Sequence, residues 1–160
     1  RTSSLFPAPV RGALHLPTYE ATCAAHRGID GRALSKQAWF LLPKMRELDA
    51  LLQAQPAWRA VLHEGHPELS FATWNAGTPM AHAKKTAEGA RERRALIDAS
   101  WPGVIDRARA SLPRHGWQDD DLLDAFAVLW TARRMATGRA LRRPDPPDHD
   151  GTGLIMAIVS

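Results

Sequence analysis

Cysteine is nearly absent from this sequence, because Cys23 is the one thiol among 160 residues. A lone thiol cannot close an internal disulfide, which excludes the disulfide-rich class of small secreted domains. It suits a reducing compartment, so we expect a cytoplasmic protein. His26 follows Cys23 by three residues on a predicted helix, but a small buried side chain explains this cysteine more simply than a catalytic nucleophile does.

Long apolar runs are also absent. No stretch of about 18 apolar residues occurs, so we expect no membrane span. Hydrophobic residues nevertheless form 44% of the chain, enough for a real core, and no repeat or long linker interrupts it. We therefore predict one domain over residues 1–160. The net charge of +4 is compatible with a phosphate-bearing partner without requiring one. Nothing in the sequence indicates an oligomeric state.

Two common functional motifs are missing. The stretch Lys84-Lys85-Thr86 lacks the preceding glycines of a Walker A loop. No other glycine-rich phosphate loop occurs, which argues against a phosphotransferase. His63 and His66 lack the helical spacing of a zinc protease, and the intervening Gly65 and the following Pro67 oppose that helix.

The chain is rich in helical patterns and poor in strands. Helical spacing and capping residues predict helices over residues 18–27, 35–53, 86–99, 104–111 and 119–137. Pro43 should kink or split the second of these helices. We predict strands over 58–64 and 154–159 and a loop over 142–153. Because two strands do not make a stable sheet, we expect further strands elsewhere or upstream of Arg1.

The fifth predicted helix opens with an acidic run, Asp119-Asp120-Asp121-Leu122-Leu123-Asp124. At about 100° per residue, Asp124 lies about 60° from Asp121 and about 40° from Asp120 around the helix. Carboxylates this close repel one another unless a cation lies between them, and Mg²⁺ prefers carboxylate oxygens. Acidic residues also favour helix N-termini as caps. Capping accounts for Asp119 and Asp120 and can account for Asp121, but not for Asp124.

Two further sets of charges each allow two interpretations. Glu68 follows the predicted strand 58–64, and catalytic groups of α/β sheets gather at strand ends. A solvated loop glutamate is the simpler alternative. The basic stretch 84–94 is either a phosphate-binding surface or a solvated helix face with internal ion pairs.

Five ordered motifs together resemble one family. The motifs are Ser3-Ser4-Leu5-Phe6-Pro7-Ala8-Pro9 with Arg11; Leu34-Ser35-Lys36-Gln37; His66-Pro67-Glu68-Leu69-Ser70-Phe71; Lys84-Lys85-Thr86 with Gly89, Glu92 and Arg93; and Asp120-Asp121-Leu122-Leu123-Asp124-Ala125. In this order they resemble the family of domain of unknown function 429 (DUF429), described as predicted nucleases of the RNase H fold. The resemblance covers nearly the whole chain.

The resemblance implies an α/β protein with an RNase H-like fold, that is, a mixed sheet flanked by helices. Such family members begin with a strand that carries an aspartate in a Gly-Val-Asp-Gly-like motif. Nothing in this sequence matches that motif, and the chain starts at Arg1 rather than at Met. We therefore expect this chain to be the C-terminal two-thirds of the domain, with the first catalytic aspartate upstream. A polypeptide that began at Arg1 should then be inactive.

The resemblance also implies roles for the acidic residues. Glu68 matches the second carboxylate of an RNase H-like site, and Asp121 and Asp124 match those of the last helix, with Asp120 as an alternate ligand. They would hold two Mg²⁺ or Mn²⁺ ions for phosphodiester hydrolysis. His66 is a candidate for proton transfer, although a histidine beside a proline turn is more often structural.

The expected partner is nucleic acid. The candidate contacts to it are Lys36, Gln37, Lys84, Lys85, Arg91 and Arg94. A metal-dependent nuclease is the function that the resemblance implies. The alternative is a non-catalytic nucleic-acid-binding or uncharacterised module that retains the RNase H-like fold.

Overall fold

A computed structural model describes residues 8–113 and 115–160 of the chain. In this part of the chain it contains six α-helices and three short strands. In chain order they are α1 (Tyr19–Asp30), α2 (Lys36–Ala54), β1 (Glu64–Gly65), α3 (Pro67–Trp74), α4 (Ala87–Ser100), α5 (Val104–Ser111), α6 (Asp119–Ala136), β2 (Arg142–His149) and β3 (Ile155–Val159). The chain divides into two compact units, Arg1–Leu62 and His63–Ser160, here called the N-terminal and the C-terminal unit.

The N-terminal unit is built from helices. The Thr18 side chain caps α1 by accepting a hydrogen bond from the Ala21 amide, and Ser35 caps α2 in the same way. Gly31 ends α1 in the left-handed conformation, at φ 74°. Pro43 does not split α2, which runs through it from Lys36 to Ala54.

A small apolar core holds the N-terminal unit together. It consists of Leu14, Cys23, Leu34, Ala38 and Leu42, with Tyr19 and Trp39 packed against it. Cys23 is buried, which agrees with its interpretation as a small core residue. The Arg46 side chain of α2 also binds the segment before α1, because it donates to the carbonyls of Leu14 and Leu16 at 2.6 and 3.1 Å.

The C-terminal unit contains the sheet, with strand order β1-β3-β2. The central strand β3 is parallel to β1, where Glu64 pairs with Ile158, and antiparallel to β2, where Arg142 pairs with Val159. Helix α3 follows β1 after a single residue, so the start of α3 lies at the carboxyl end of β1.

The core of the C-terminal unit is formed mainly by α3, α4, α5 and α6. Its buried residues are Phe71, Met80, Ile97, Ile105, Leu122, Leu123, Phe126 and Ala127. Helices α3 and α6 pack against each other, and their buried hydroxyls meet where Thr131 donates to Ser70 at 2.8 Å. Trp74 stacks between Phe71 and Trp130, with ring centroids 6.3 and 5.0 Å apart.

The structure contains all five predicted helices and one further helix, α3, that the sequence analysis does not predict. Pro67 is the first residue of α3, where its missing N–H costs nothing, and His66 caps the helix. In the sequence, Pro67 predicts only the end of the preceding strand.

Two predictions about strands are wrong. The strand predicted over 58–64 is wrong for most of its length: Pro56–Ala60 forms a 3₁₀ helix, and β1 covers only Glu64–Gly65. The loop predicted over 142–153 is wrong as well, because Arg142–His149 is an edge strand. Its pairing with β3 uses residues on either side of the three prolines, which lack the N–H of a central strand.

The observed class is therefore mixed α/β, with a small mixed sheet. Within the described ranges, no helix combines the length and the apolar character needed to cross a bilayer.

Candidate acidic site

The side chain of Lys84 lies among carboxylates from two helices. Its Nζ atom is 2.8 Å from Asp124 Oδ2 and 3.7 Å from Asp120 Oδ2, both on α6. The carboxylate of Glu68, on α3, also interacts electrostatically with Lys84 and with Asp124. Two carboxylates of α6 thus contact one ammonium group, and a third carboxylate, from α3, lies within the electrostatic range of that group. We call Glu68, Asp120 and Asp124 the acidic cluster.

The position of Lys84 is fixed by the segment before α4. Both oxygens of the Glu92 carboxylate accept hydrogen bonds from this segment, from the amides of Ala81 and His82, at 2.7 and 3.1 Å. Gly89 allows this segment to lie close to the first turn of α4, since a Cβ atom at Gly89 would lie 2.0 Å from the Ala83 carbonyl oxygen. Thr86 then caps α4.

Glu68 is held by Arg93 of α4. The Nε and Nη2 atoms of Arg93 donate to the two oxygens of Glu68 at 3.0 and 2.6 Å. Nη1 of Arg93 donates to the carbonyls of His82 and Gly89. This guanidinium is only 1% exposed, and planar forked pairing of this kind fixes a carboxylate firmly. Sequence reasoning did not assign Arg93 to the site, although Arg93 belongs to the motif at Lys84.

Asp124 is the least satisfied member of the acidic cluster. Its Oδ2 accepts from Lys84, whereas its Oδ1 is buried and finds no hydrogen-bond partner among the described residues. Burial raises the pKa of Asp124 above its ordinary value and outweighs the opposing effect of Lys84. The same hydrogen bond, from its other end, raises the pKa of Lys84. Asp124 thus combines a desolvated carboxylate with one buried oxygen that has no hydrogen-bond partner among the described residues.

The other predicted catalytic residues have structural contacts. Asp121 accepts from the Gln118 amide at 2.9 Å in a capping box, so its carboxylate serves the start of α6. His66 Nδ1 accepts from the Leu69 amide at 3.4 Å and caps α3. Asp121 therefore lies where the capping alternative predicts, and His66 lies where the structural alternative for a histidine beside a proline predicts.

The predicted nucleic-acid contacts are dispersed. Lys84 and Lys85 line an open cleft of about 700 Å³ together with Thr86 and the acidic start of α6. Arg91 pairs with Glu88 at 2.9 Å, and Arg94 pairs with Asp106 at 2.7 Å. These two arginines therefore behave as paired helix-surface residues. Lys36 and Gln37 begin α2 in the N-terminal unit.

The chemistry of the acidic cluster suits a hard divalent cation, but its present arrangement does not form a finished metal site. All its donors are carboxylate oxygens, which Mg²⁺ and Mn²⁺ prefer, and Asp124 has an oxygen to spare. In residues 8–113 and 115–160, no three His, Cys, Asp or Glu side chains are grouped closely enough to hold a metal. Lys84 and Arg93 instead neutralise the carboxylates.

The family model described as "protein of unknown function (DUF429)" matches residues 1–149. The chain belongs to the DUF429 family. This confirms the resemblance drawn from the five motifs, and three of these motifs supply the acidic cluster, Lys84 and Arg93. No curated protein and no solved structure matches the chain.

Proposed function

We propose that this DUF429 protein is a metal-dependent nuclease with an RNase H-like fold, which hydrolyses phosphodiester bonds of nucleic acid. The observation that carries the proposal is the pairing of Lys84 with Asp120 and Asp124 of α6, within the electrostatic range of Glu68 on α3. The resemblance implies metal-binding carboxylates at Glu68, which lies in the first turn of the helix after β1, and at the acidic start of α6.

Repulsion between carboxylates is the energetic basis of the proposal. Bringing carboxylates together costs free energy unless cations lie among them. Lys84 and Arg93 supply such charge here, but burial still raises the pKa of Asp124. A purely structural cluster would be expected to satisfy its oxygens, as most buried polar groups do. Asp124 Oδ1 lacks a hydrogen-bond partner among the described residues, as does Asp98 Oδ1, but only Asp124 lies beside further carboxylates and a lysine, which supports a site that completes itself with a ligand.

In this proposal Asp124, Asp120 and Glu68 would hold Mg²⁺ or Mn²⁺. The ion would supply Lewis acidity for phosphodiester hydrolysis. The protein's own residues would orient and bind: Arg93 holds Glu68 in place, and Lys85 on the cleft wall would contact a phosphate. Asp121 would support the site by capping α6 rather than by binding the ion.

The test combines metal binding with cleavage. Mn²⁺ or Mg²⁺ at about 100 times its dissociation constant should stabilise the wild-type protein by about 2.7 kcal/mol, and Asp124→Asn should abolish this stabilisation. Asp106→Asn is the matched control, because Asp106 pairs with Arg94 outside the acidic cluster. Cleavage of single-stranded and structured DNA and RNA, with EDTA as the blank, is a second readout. Any metal-dependent cleavage should be lost in Asp124→Asn and kept in Asp106→Asn, whereas the metal-induced stabilisation decides the proposal. Equal metal responses in both variants would refute the proposal.

One observation favours the second candidate, a non-catalytic nucleic-acid-binding module. Lys84 and Arg93 already neutralise the carboxylates, so the cluster can persist without a metal. Salt-dependent binding of an oligonucleotide, without any metal-dependent stabilisation or cleavage, would support this candidate over the nuclease.

A further inference from the structure

A second group of charges lies at the end of α6 that is opposite to its acidic start. Residues 133–143 include five arginines and no acidic residue. The first two arginines stand in the last turn of α6, and the last two begin β2. We call the group the arginine surface, and its members are Arg133, Arg134, Arg139, Arg142 and Arg143. Arg134 is half-buried and the other four are exposed.

The charge of the arginine surface is not neutralised by carboxylates, unlike that of α4. Arg91 pairs with Glu88 at 2.9 Å, and Arg94 pairs with Asp106 at 2.7 Å. Within residues 8–113 and 115–160, no member of the arginine surface forms an ion pair with a carboxylate. Asp145 lines the same cleft as Arg142 and still does not pair with it. Five positive charges thus remain available to a partner.

Two of these arginines are held in place by aromatic rings. The guanidinium of Arg133 lies 5.4 Å from the centre of the Trp101 ring, and that of Arg134 lies 4.7 Å from the centre of the Trp130 ring. An uncharged ring attracts a cation through its quadrupole, so it restrains the guanidinium without cancelling the charge. The restraint reduces the side-chain entropy that binding of an anion would otherwise cost.

Contacts after α6 keep the remaining arginines at the same end of the C-terminal unit. The Arg134 side chain donates to the Arg139 carbonyl, and Arg143 donates to the hydroxyl of Ser160 at 2.8 Å. A cleft of about 330 Å³ separates the end of α6 from the start of β2, and Arg142 lies on its wall. The positive charges are therefore distributed over one connected surface around a cleft.

We propose that the arginine surface binds the phosphate backbone of a nucleic acid. The inference rests on the proposed function only for its choice of nucleic acid as the partner, and it requires no metal at the acidic cluster. It places the main phosphate contacts on the end of α6 and the start of β2, and not on the paired arginines of α4.

Two simpler explanations account for only part of the arginine surface. Cations are favoured at helix C-termini by the helix dipole, which explains Arg133 and Arg134 but not the arginines beyond α6. Charged residues protect an edge strand such as β2 from pairing with other chains, but lysine serves that purpose equally well. All five basic residues are arginine, whose planar fork matches two oxygens of a phosphate.

The experiment measures binding of labelled single-stranded DNA and RNA oligonucleotides to the whole chain, in EDTA and over a series of salt concentrations. The test variant combines Arg139→Gln with Arg142→Gln, because both side chains are exposed and the hydrogen bonds at this end come from Arg134 and Arg143. Each phosphate contact to a single strand contributes roughly 0.7 to the slope of log K against log salt, so the slope should fall by about 1.4. Affinity at about 0.1 M salt should fall at least roughly 10-fold.

Two further variants separate local contacts from overall charge. Arg27→Gln combined with Arg32→Gln removes the same two charges from exposed positions of the N-terminal unit and should bind as the wild type does. Arg139→Lys combined with Arg142→Lys keeps the charge but loses the fork. It should keep the salt slope of the wild type and lose part of the affinity.

The outcomes distinguish this inference from the proposed function. An equal loss of affinity in the two glutamine variants would overturn the inference, because overall charge alone would then set binding. Binding to vesicles of phosphatidylserine and phosphatidylcholine, without oligonucleotide binding, would overturn it in favour of a membrane surface. If the wild type cleaves nucleic acid and the Arg139/Arg142 glutamine variant binds it equally well, the inference fails and the proposed function stands. The expected loss of affinity in EDTA, without any metal response at Asp124, leaves the inference standing without the nuclease.

Discussion

Each unit of the chain holds a largely buried aspartate beside a basic side chain, and the two aspartates are satisfied to different degrees. In the N-terminal unit, Arg11 donates to both oxygens of Asp49, at 3.0 and 2.8 Å. In the C-terminal unit, Lys84 reaches one oxygen of Asp124, and the other has no hydrogen-bond partner among the described residues. The pKa of Asp49 is lowered by its hydrogen bond from Arg11, whereas burial raises that of Asp124.

This difference separates a structural pair from a candidate site. A forked arginine donates to both oxygens of a carboxylate, and the pair then ties two segments together. A lysine supplies charge without matching both oxygens, so the carboxylate keeps capacity for another ligand. The basic partner thus donates to both oxygens of the aspartate in the N-terminal unit, but to only one oxygen of the aspartate in the C-terminal unit.

The largest effect should come from breaking the buried arginine pair beside the acidic cluster. Arg93→Met removes the partner of Glu68 and the donor to two carbonyls, so we expect a loss of about 3–5 kcal/mol in the free energy of unfolding. Urea unfolding measures it. Arg91→Met, on the same helix but in an exposed pair, is the control and should change stability by less than about 1 kcal/mol.

A smaller effect should distinguish the two aspartates directly. Asp49→Asn gives up charge-assisted hydrogen bonds from Arg11 and should cost about 1–3 kcal/mol. In metal-free buffer, Asp124→Asn should stay within about 0.5 kcal/mol of the wild type, because relief of repulsion from Glu68 and Asp120 offsets the loss of the Lys84 contact. Equal destabilisation by the two changes in urea unfolding would contradict the comparison.

The smallest effect is a difference in titration. The lowered pKa of Asp49 means that its pairing stabilises the fold above the unfolded value of 3.8, and that this contribution is lost as pH falls through the folded pKa. The raised pKa of Asp124 has the opposite sign: its ionisation costs stability as pH rises from 3.8 through the folded pKa. Carboxyl ¹³C NMR of metal-free protein should show Asp49 titrating below 3.8 and Asp124 above it.

The sequence was informative where local periodicity decides the structure. The spacing of Asp120 and Asp124 places them on one flank of a helix, and both indeed face Lys84. Asp121 was harder, since a carboxylate in the first turn can serve either a cap or a ligand, and the Gln118 amide captures it. The choice depends on side-chain rotation, which spacing does not determine.

Long-range partners were beyond local reasoning. Glu68 and Arg93 are 25 residues apart, and no helical or strand period links them. The prolines of β2 favour a loop when the sequence is considered alone. Proline is tolerated in an edge strand but not in a central one, and the sequence does not specify which position β2 has in the sheet. The RNase H-like assignment rests on the family resemblance and remains part of the proposal.

Gly89 links backbone geometry to the charge balance of the acidic cluster. Because a Cβ atom there would meet the Ala83 carbonyl at 2.0 Å, even alanine would push away the segment that carries Lys84. The ammonium would then move off Asp124 although neither charged residue had changed. A single methyl group, added five residues downstream of Lys84, would thus separate the Lys84–Asp124 ion pair by displacing the backbone that carries the lysine.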